Sequence, residues 1–479
     1  MSMNTAVDCF TIDDGQAVEI TPLCGATLSA WRESCAPRHR TWCKATGFEG
    51  RLGELCLLPN DEGELEQVLV GGDPVKSPFM LGDSFQRLPA GCYRLSDALA
   101  DAQRADLLLG AALGAYRFKR YRDRACDSAG ERAPGAAPTS TGKSVQFVLP
   151  NNELGARVKA HVRATYLARD LINTPAADMM PQDLAHASTE LASEFGATTS
   201  EFRGNELLEY GFPSIHAVGR ASSQEPRLLQ MQWGREDAPC VALVGKGVCF
   251  DSGGLNIKAA TGMRWMKKDM GGAAHVLALS RLIMETKLDV RLLMLIPAVE
   301  NAISGNAMRP GDVLQTRKGL TVEVDNTDAE GRLILSDALT LACEHRPELV
   351  IDFATLTGAA RVAVGTDIAA MFCNNDDMAA GIETASVGAH DPVWRMPLHQ
   401  PYRKLIESRI ANIQNSSGTP YGGAITAALF LEHFISPQIP WAHFDIMAFN
   451  RIGRPGFPEG GEAMGIRAVF SYLESRFRH

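Results

Sequence analysis

The sequence predicts an α/β protein: a small N-terminal α/β domain, then a larger C-terminal domain whose mixed, mainly parallel sheet is flanked by helices. Three observations carry this expectation. Short, continuously apolar runs at Pro239–Val244 (PCVALV), Arg291–Pro297 (RLLMLIP) and Glu348–Phe353 (ELVIDF) read as strands buried on both faces. Helical segments separate them, as at Gly272–Ile283 and Arg332–Cys343. Residues 127–144 (DSAGERAPGAAPTSTGKS) carry no apolar period, which marks a loop or connection between two domains.

Each element follows in order. Gln67–Gly71 is β-like, and Asp97–Tyr121 reads as one long helix with Ser96 or Asp97 at its N-cap. After the loop, Val145–Leu149 reads as a short strand. Asn151–Ile172 is a helix with apolar positions at Val158, Val162, Tyr166, Leu167 and Leu171. Asn173-Thr174-Pro175 ends it, because the residue before a proline is pushed out of the α region. Pro181–Phe195 opens with proline in the first helical turn, where its missing N–H costs nothing. The expected division is an N-terminal domain over 1–145, a connecting strand and helix over 146–172, and the main domain over 173–479.

Composition narrows the class. The 479 residues are 45% hydrophobic and 22% charged, ordinary globular values that exclude a disordered, collagen-like or coiled-coil chain. So long a chain can bury a core that needs no disulfide or structural metal. A formal charge of −9 weighs against nucleic-acid binding by broad electrostatics. The 11 cysteines are odd in number and lack a C-x-x-C, which reads as reduced thiols in a reducing compartment. The N-terminus has no basic and apolar export pattern, and runs such as Leu292–Val299 are far short of the roughly 18 residues of a membrane span. A cytoplasmic protein with no membrane association is expected.

Three segments following apolar strands concentrate acid, lysine and glycine. They are VGKGVCFDSGGLNIK (Val244–Lys258), MKKDMGG (Met266–Gly272) and VDNTDAEGR (Val324–Arg332). In α/β sheets, ligands sit beyond the carboxyl ends of the strands, so loops of this kind converge. Asp251, Asp269, Asp328 and Glu330 in one pocket would repel one another unless cations offset them. Two divalent metals would do so, and a carboxylate can bridge them. Asp328 and Glu330, two apart, would point to one side of an extended segment. Oxygen donors without His or Cys suit Mn²⁺, Mg²⁺ or Zn²⁺.

Plainer readings stand beside these. DNTDAEG fails the spacing of a calcium loop, but it could be a polar turn capping the helix from Arg332. A lysine after a strand is usually a solvated surface residue. Lys246, between glycines beside an apolar run, could instead be a neutral amine that ligates a metal. Met263, Met266 and Met270 are either core packing or the lining of a pocket for an apolar side chain. No H-E-x-x-H and no G-x-S-x-G is present, and His275 reads as an ordinary helix residue.

NTDAEGRL (Asn326–Leu333) identifies a family. Together with RDLINTPAADMMP, VGKGVCFDSGGLNIK, MKKDMGGAA, ENAISGNAMRPGDV, FATLTGA and GGAITAALFLEHF, in that order, it resembles the leucyl (cytosol) aminopeptidases. These are two-metal enzymes that remove N-terminal residues from peptides. Residues before 150 match weakly, mainly through LGAYRFKRY at 113–121. The resemblance implies Lys246, Asp251, Asp269, Asp328 and Glu330 as metal ligands, with Asp251 and Glu330 touching both metals. It implies Lys258 as the catalytic lysine and Arg332 as the arginine that holds bicarbonate, the general base. Met266, Thr355 and Gly358 match the pocket for the substrate's first side chain.

The same resemblance implies two divalent ions (Mn²⁺, Zn²⁺ or Mg²⁺), peptide substrates with an apolar, leucine-like N-terminal residue, and a homohexamer built as a dimer of trimers. Met447 and Asn450 stand where smaller or apolar residues are expected, so a strict leucine preference does not carry over, while a non-acidic, largely apolar N-terminal residue is still expected. Two other readings differ in class. A two-metal phosphohydrolase would want His or extra basic residues, which the motifs lack. A DNA-binding role, added or alternative, would rest on RFKRYRDR (117–124), which also reads as a solvated helix end.

Overall fold

The structure, a computed structural model, describes residues 8–12, 15–121 and 144–478. Most of the Gly/Pro-rich stretch and residues 122–124 of the basic run lie outside the described residues. The described residues form two compact units, one drawn from residues 8–166 with 452–459, the other from 167–451 and 460–478.

In the first unit six strands, β1 (Phe10–Thr11), β2 (Val18–Leu23), β3 (Leu55–Pro59), β4 (Leu65–Gly71), β5 (Gly91–Leu95) and β6 (Val145–Val148), form one sheet in the order β1-β6-β5-β2-β4-β3. All pairings are parallel except β3 with β4. The helix expected over 97–121 is shorter, Asp101–Ala115. Residues 96–99 turn instead, and the Ala100 N–H donates to the Gln103 side chain, which sets the helix start there. At the other end Tyr116 leaves helical dihedrals and its buried ring packs edge-on against Tyr166 at 5.0 Å. Residues 117–121 are therefore not a helix end.

The second unit is built on a larger mixed sheet. Its strands are β7 (Thr198–Arg203), β8 (Arg227–Trp233), β9 (Cys240–Gly245), β10 (Gly247–Asp251), β11 (Arg291–Asn301), β14 (Leu349–Ala354), β15 (Ala369–Cys373), β16 (Val393–Arg395) and β18 (Trp441–Asp445). A small separate sheet joins β12 (Val313–Gln315), β13 (Thr321–Glu323) and β17 (Ile413–Gln414). The main order is β16-β15-β18-β14-β9-β11-β8-β7, with β10 paired to β11. The centre, from β18 through β14 and β9 to β11, is parallel. Strands β9, β14 and β18 are buried throughout and β11 nearly so, which is why β9, β11 and β14 read as continuous apolar runs and not as alternating ones.

Helices Gly271–Glu285 and Glu330–Glu344 pack on this centre and are buried along almost their whole length. Helices of that kind lose the polar stripe that normally marks one face. Below the strand ends, Asp352 accepts hydrogen bonds from Trp441 Nε1 and pairs with His443 Nδ1, both at 2.6 Å and fully buried. Arg169 and Glu462 form another buried pair at 2.9 Å. Among the described residues no helix is long and apolar enough to cross a membrane.

Candidate active site

The parallel strands end on one side of the sheet, and each end delivers a functional side chain. Lys246 follows β9, Asp251 closes β10, Asn301 closes β11, Thr355 follows β14 and Asp445 closes β18. The loop after β10 turns back through Gly253 and Gly254, both at positive φ, a conformation that disfavours any residue with a Cβ. That turn lets the Lys258 N–H bond to Ser252 O at 3.0 Å and brings the Lys258 ammonium over the acids. Asp269 lies on a 3-10 turn, Met266–Met270, that leads into the helix from Gly271.

Asp328 and Glu330 meet, but not on an extended segment. Asp328 sits in a turn whose N–H bonds to Asn326 Oδ1 at 2.8 Å, and Glu330 is the first residue of the helix to Glu344. The N-cap is Ala329, with no side-chain cap, so the acids of this turn are not spent on capping. Ligand oxygens of Asp251, Asp328 and Glu330 all lie within 4.8 Å of one another. Lys246 Nζ stands 2.7 Å from Asp269 Oδ2 and 2.9 Å from Glu330 Oε1. Lys258 Nζ stands 2.7 Å from Asp251 Oδ2 and also pairs with Asp328 Oδ1. A Cβ built on Gly331 would come within 2.5 Å of Lys246 Cε, so only glycine leaves that lysine its seat.

The electrostatics record four acids crowded together. Burial and the Asp251 charge push the Glu330 carboxyl up to about 8, and the same two causes push Asp328 up to about 6. Burial works against the Lys246 ammonium, but Asp269, Glu330 and Asp251 outweigh it and hold the amine above the usual lysine range. Lys246 is therefore buried, not a solvated surface residue.

Donor satisfaction tests whether a metal fits. Asp269 Oδ2 and both Glu330 oxygens are buried and accept no well-oriented hydrogen bond, although Lys246 is at ion-pair distance from two of them. Buried carboxylate oxygens are otherwise satisfied in folded proteins. Unspent lone pairs facing a common centre are what a divalent ion with oxygen ligands requires. The donor set fits.

Residues that sequence reasoning missed hold the ligands in place. Asn301 Nδ2 donates to Asp251 Oδ1 at 2.8 Å and to Thr327 O at 3.0 Å. Thr327 bonds to Gly253 O and to Asn256, tying the two acidic loops together. Asn415 accepts from the Asp325 and Asn326 N–H groups and donates to Asn326 O. Asp445 accepts from Leu356 N, Thr357 N and Thr357 Oγ1, which shapes the segment ahead of Gly358. The available signal was a polar residue ending an apolar strand, as Asn301 and Asp445 both do.

The other expected residues fall as follows. Arg332 is buried, which lowers its pKa to about 10; Nη1 donates to Asn415 O at 2.7 Å, while Nε has no acceptor among the described residues. Thr355 donates to Asp269 Oδ1, and its carbonyl accepts from Lys246 at 3.2 Å. Met266 is buried on the turn that carries Asp269, and Gly358 opens a short helix to Val364. Lys268 is also buried on that turn, and burial lowers its ammonium to about 8. Met447 is buried, whereas Asn450 spends its amide on Glu462 Oε2 at 2.8 Å.

Comparison with known proteins gives the class. The model of the cytosol aminopeptidase family, catalytic domain, matches residues 166–470, and that of the M17 aminopeptidase N-terminal domain matches residues 18–133. A probable cytosol aminopeptidase of Leifsonia xyli subsp. xyli is 40% identical over 450 residues, covering 90% of this chain and 89% of its own. The crystal structure of the cytosol aminopeptidase from Coxiella burnetii shares 47% identity at a TM-score of 0.91, covering 98% of this chain and 100% of that one. The bottromycin maturation enzyme BotP in complex with Mn shares 32% identity at a TM-score of 0.84, covering 96% and 99%. Fold and site thus define a peptide hydrolase. The chain belongs to the cytosol aminopeptidase family.

Proposed function

We propose that this aminopeptidase depends on two divalent metal ions and removes the N-terminal residue of peptides at the strand-end cluster. The observation that carries the reading is the set of buried carboxylate oxygens, on Asp269 and Glu330, that accept no well-oriented hydrogen bond and face only the Lys246 ammonium, in a pocket shared with Asp251 and Asp328. Lys246, Asp251, Asp269, Asp328 and Glu330 would hold the ions, which are Mn²⁺ or Zn²⁺, with Mg²⁺ as a further candidate. Bound there, the ions would supply Lewis acidity, lowering the pKa of water and polarising the scissile carbonyl.

The chain's own residues do the rest. Lys258 donates a hydrogen bond toward the oxyanion that develops as the carbonyl is attacked, the kind of fixed charge that favours a transition state over its ground state. Arg332 keeps a buried N–H that has no acceptor among the described residues, which suits an anion; Arg332 would hold bicarbonate there, and the bound anion would supply a general base. Thr355 and Gly358 hold the substrate backbone, and together with Met266 they border its first side chain. The leucine-like preference carried by the resemblance depends on how apolar that border is. Assembly as a homohexamer and residence in the cytoplasm belong to the same reading.

The test is hydrolysis of a panel of amino-acid chromogenic amides by the purified chain. Activity should disappear with chelator and return with Mn²⁺ or Zn²⁺. Hydrolysis that persists undiminished after complete metal removal would overturn the metal-dependent reading.

A further inference from the structure

We propose, resting on the reading that Met266, Thr355 and Gly358 border the substrate's first side chain, that this pocket is cationic and selects an N-terminal glutamate or aspartate over a leucine-like residue. Lys268 stands two residues after Met266 and is only 3% exposed. Among the described residues its ammonium has no hydrogen-bond or ion-pair partner. An ammonium so little exposed and without a direct partner is costly and is retained where something else supplies the counter-charge.

Arg361 adds a second cation. It lies one turn beyond Gly358, and a Cβ built on Gly358 would stand 3.2 Å from Arg361 Nη2. Its Nη1 lies 3.4 Å from Met447 Sδ, a weak acceptor, and no described carboxylate pairs with it. The two cations are electrostatic neighbours: the Arg361 charge works against the Lys268 ammonium, while Asp269 and Asp445 work in its favour without pairing with it directly. Gly271, just past the turn of Lys268, packs so closely on Thr355 and Ala448 that an added Cβ would meet Thr355 Cγ2 at 3.0 Å and Ala448 Cβ at 2.6 Å.

The neighbouring acids are already spent. Asp445 accepts three hydrogen bonds from Leu356 and Thr357. Asp269 accepts from Thr355 on one oxygen and faces Lys246 with the other. Two positive charges therefore remain for a ligand, beside the methylene and thioether surface of Met266 and Met447. That combination fits the short alkyl stem and terminal carboxylate of an acidic side chain, and charge-assisted hydrogen bonds to the cations would fix it.

The test compares kcat/KM of the full chain, loaded with Mn²⁺, on the p-nitroanilides of glutamate, aspartate, leucine and alanine. Glutamate or aspartate should exceed leucine by about tenfold or more. Lys268→Met and Arg361→Leu should each lower the acidic-to-leucine ratio by about tenfold. A wild-type ratio of one or less, or a ratio that both variants leave unchanged, overturns the proposal while the aminopeptidase stands. Cleavage of none of the four overturns the catalytic reading and this proposal with it. Because a variant could fold poorly, inhibition of wild-type alanine-anilide turnover is measured as well. Free glutamate should inhibit at lower concentration than free leucine, and the reverse order overturns the proposal.

Discussion

Thr355 Oγ1 donates a hydrogen bond of 2.7 Å to Asp269 Oδ1, tying the end of β14 to the turn that carries a candidate metal ligand. Thr355→Val keeps the shape and deletes the donor, and a hydrogen bond to a charged group contributes about 1.5–3 kcal/mol. Metal affinity should fall by roughly 10–100-fold, the usual effect of removing a group that orients a ligand. Titration against a competing chelator measures it. Unchanged affinity would mean that Asp269 needs no orientation from Thr355.

Asn301 plays the equivalent part for Asp251. Its amide spans Asp251 Oδ1 and Thr327 O, so Asn301→Ala should loosen both acidic loops at once. We expect weaker metal retention, by about 10–100-fold, and a matching loss of kcat at limiting metal. Excess Mn²⁺ should restore much of the activity, which a direct catalytic role for Asn301 would not allow.

Glu330→Gln should abolish turnover with the fold intact, because it removes a ligand at the centre of the cluster. The same change deletes a buried carboxylate crowded by Asp251 and Asp269 while Lys246 keeps its pair with Asp269, so the metal-free variant should melt no lower than the metal-free parent. Activity and thermal melting on the chelated protein check both halves. Retained activity would mean the ligand set is wrong.

Asp352→Ala should destabilise the protein by about 3–5 kcal/mol, the usual cost of stripping one partner from a buried charged pair. It leaves His443 and the Trp441 N–H buried without their acceptor. Denaturant unfolding of the two proteins gives the difference. A loss under about 1 kcal/mol would show that water or rearrangement replaces the carboxylate.

His275 gives the pH prediction. Its Nε2 accepts from the Met464 N–H at 2.8 Å while Nδ1 faces Gly271 O at 2.6 Å, so only the neutral ring satisfies both. Burial lowers its pKa from 6.5 to about 4. Between those values the unfolded chain binds a proton that the folded one refuses, so stability falls as pH drops through that window. The loss approaches about 3 kcal/mol below pH 4 from this residue alone. Unfolding free energies from pH 7 to 4 should show a shallower slope in His275→Gln.

Much of this was legible because burial leaves marks in sequence. Strands β9, β11 and β14 and helices Pro181–Phe195, Gly271–Glu285 and Glu330–Glu344 follow their apolar patterns to within a few residues, since tertiary packing there agrees with local preference. The helix over 97–121 was overread because a side chain at Gln103 and the buried ring of Tyr116 set its ends. Periodicity does not see either contact. The acids, Lys246 and Lys258 were found as residues, but the extended placement of Asp328 and Glu330 was not what the chain adopts.

Sequence by itself determined the α/β class, the family and the residues that carry charge to the strand ends, because chemistry at a site requires particular side chains in a particular order. Only the tertiary structure decided which of them lack partners. The oxygens of Asp269 and Glu330 that accept no well-oriented hydrogen bond, the spent amide of Asn450, and the cations Lys268 and Arg361, which no carboxylate pairs among the described residues, are properties of neighbours brought together from distant segments. A hydrogen bond acts over about 3 Å and ignores separation along the chain, so no local pattern records it.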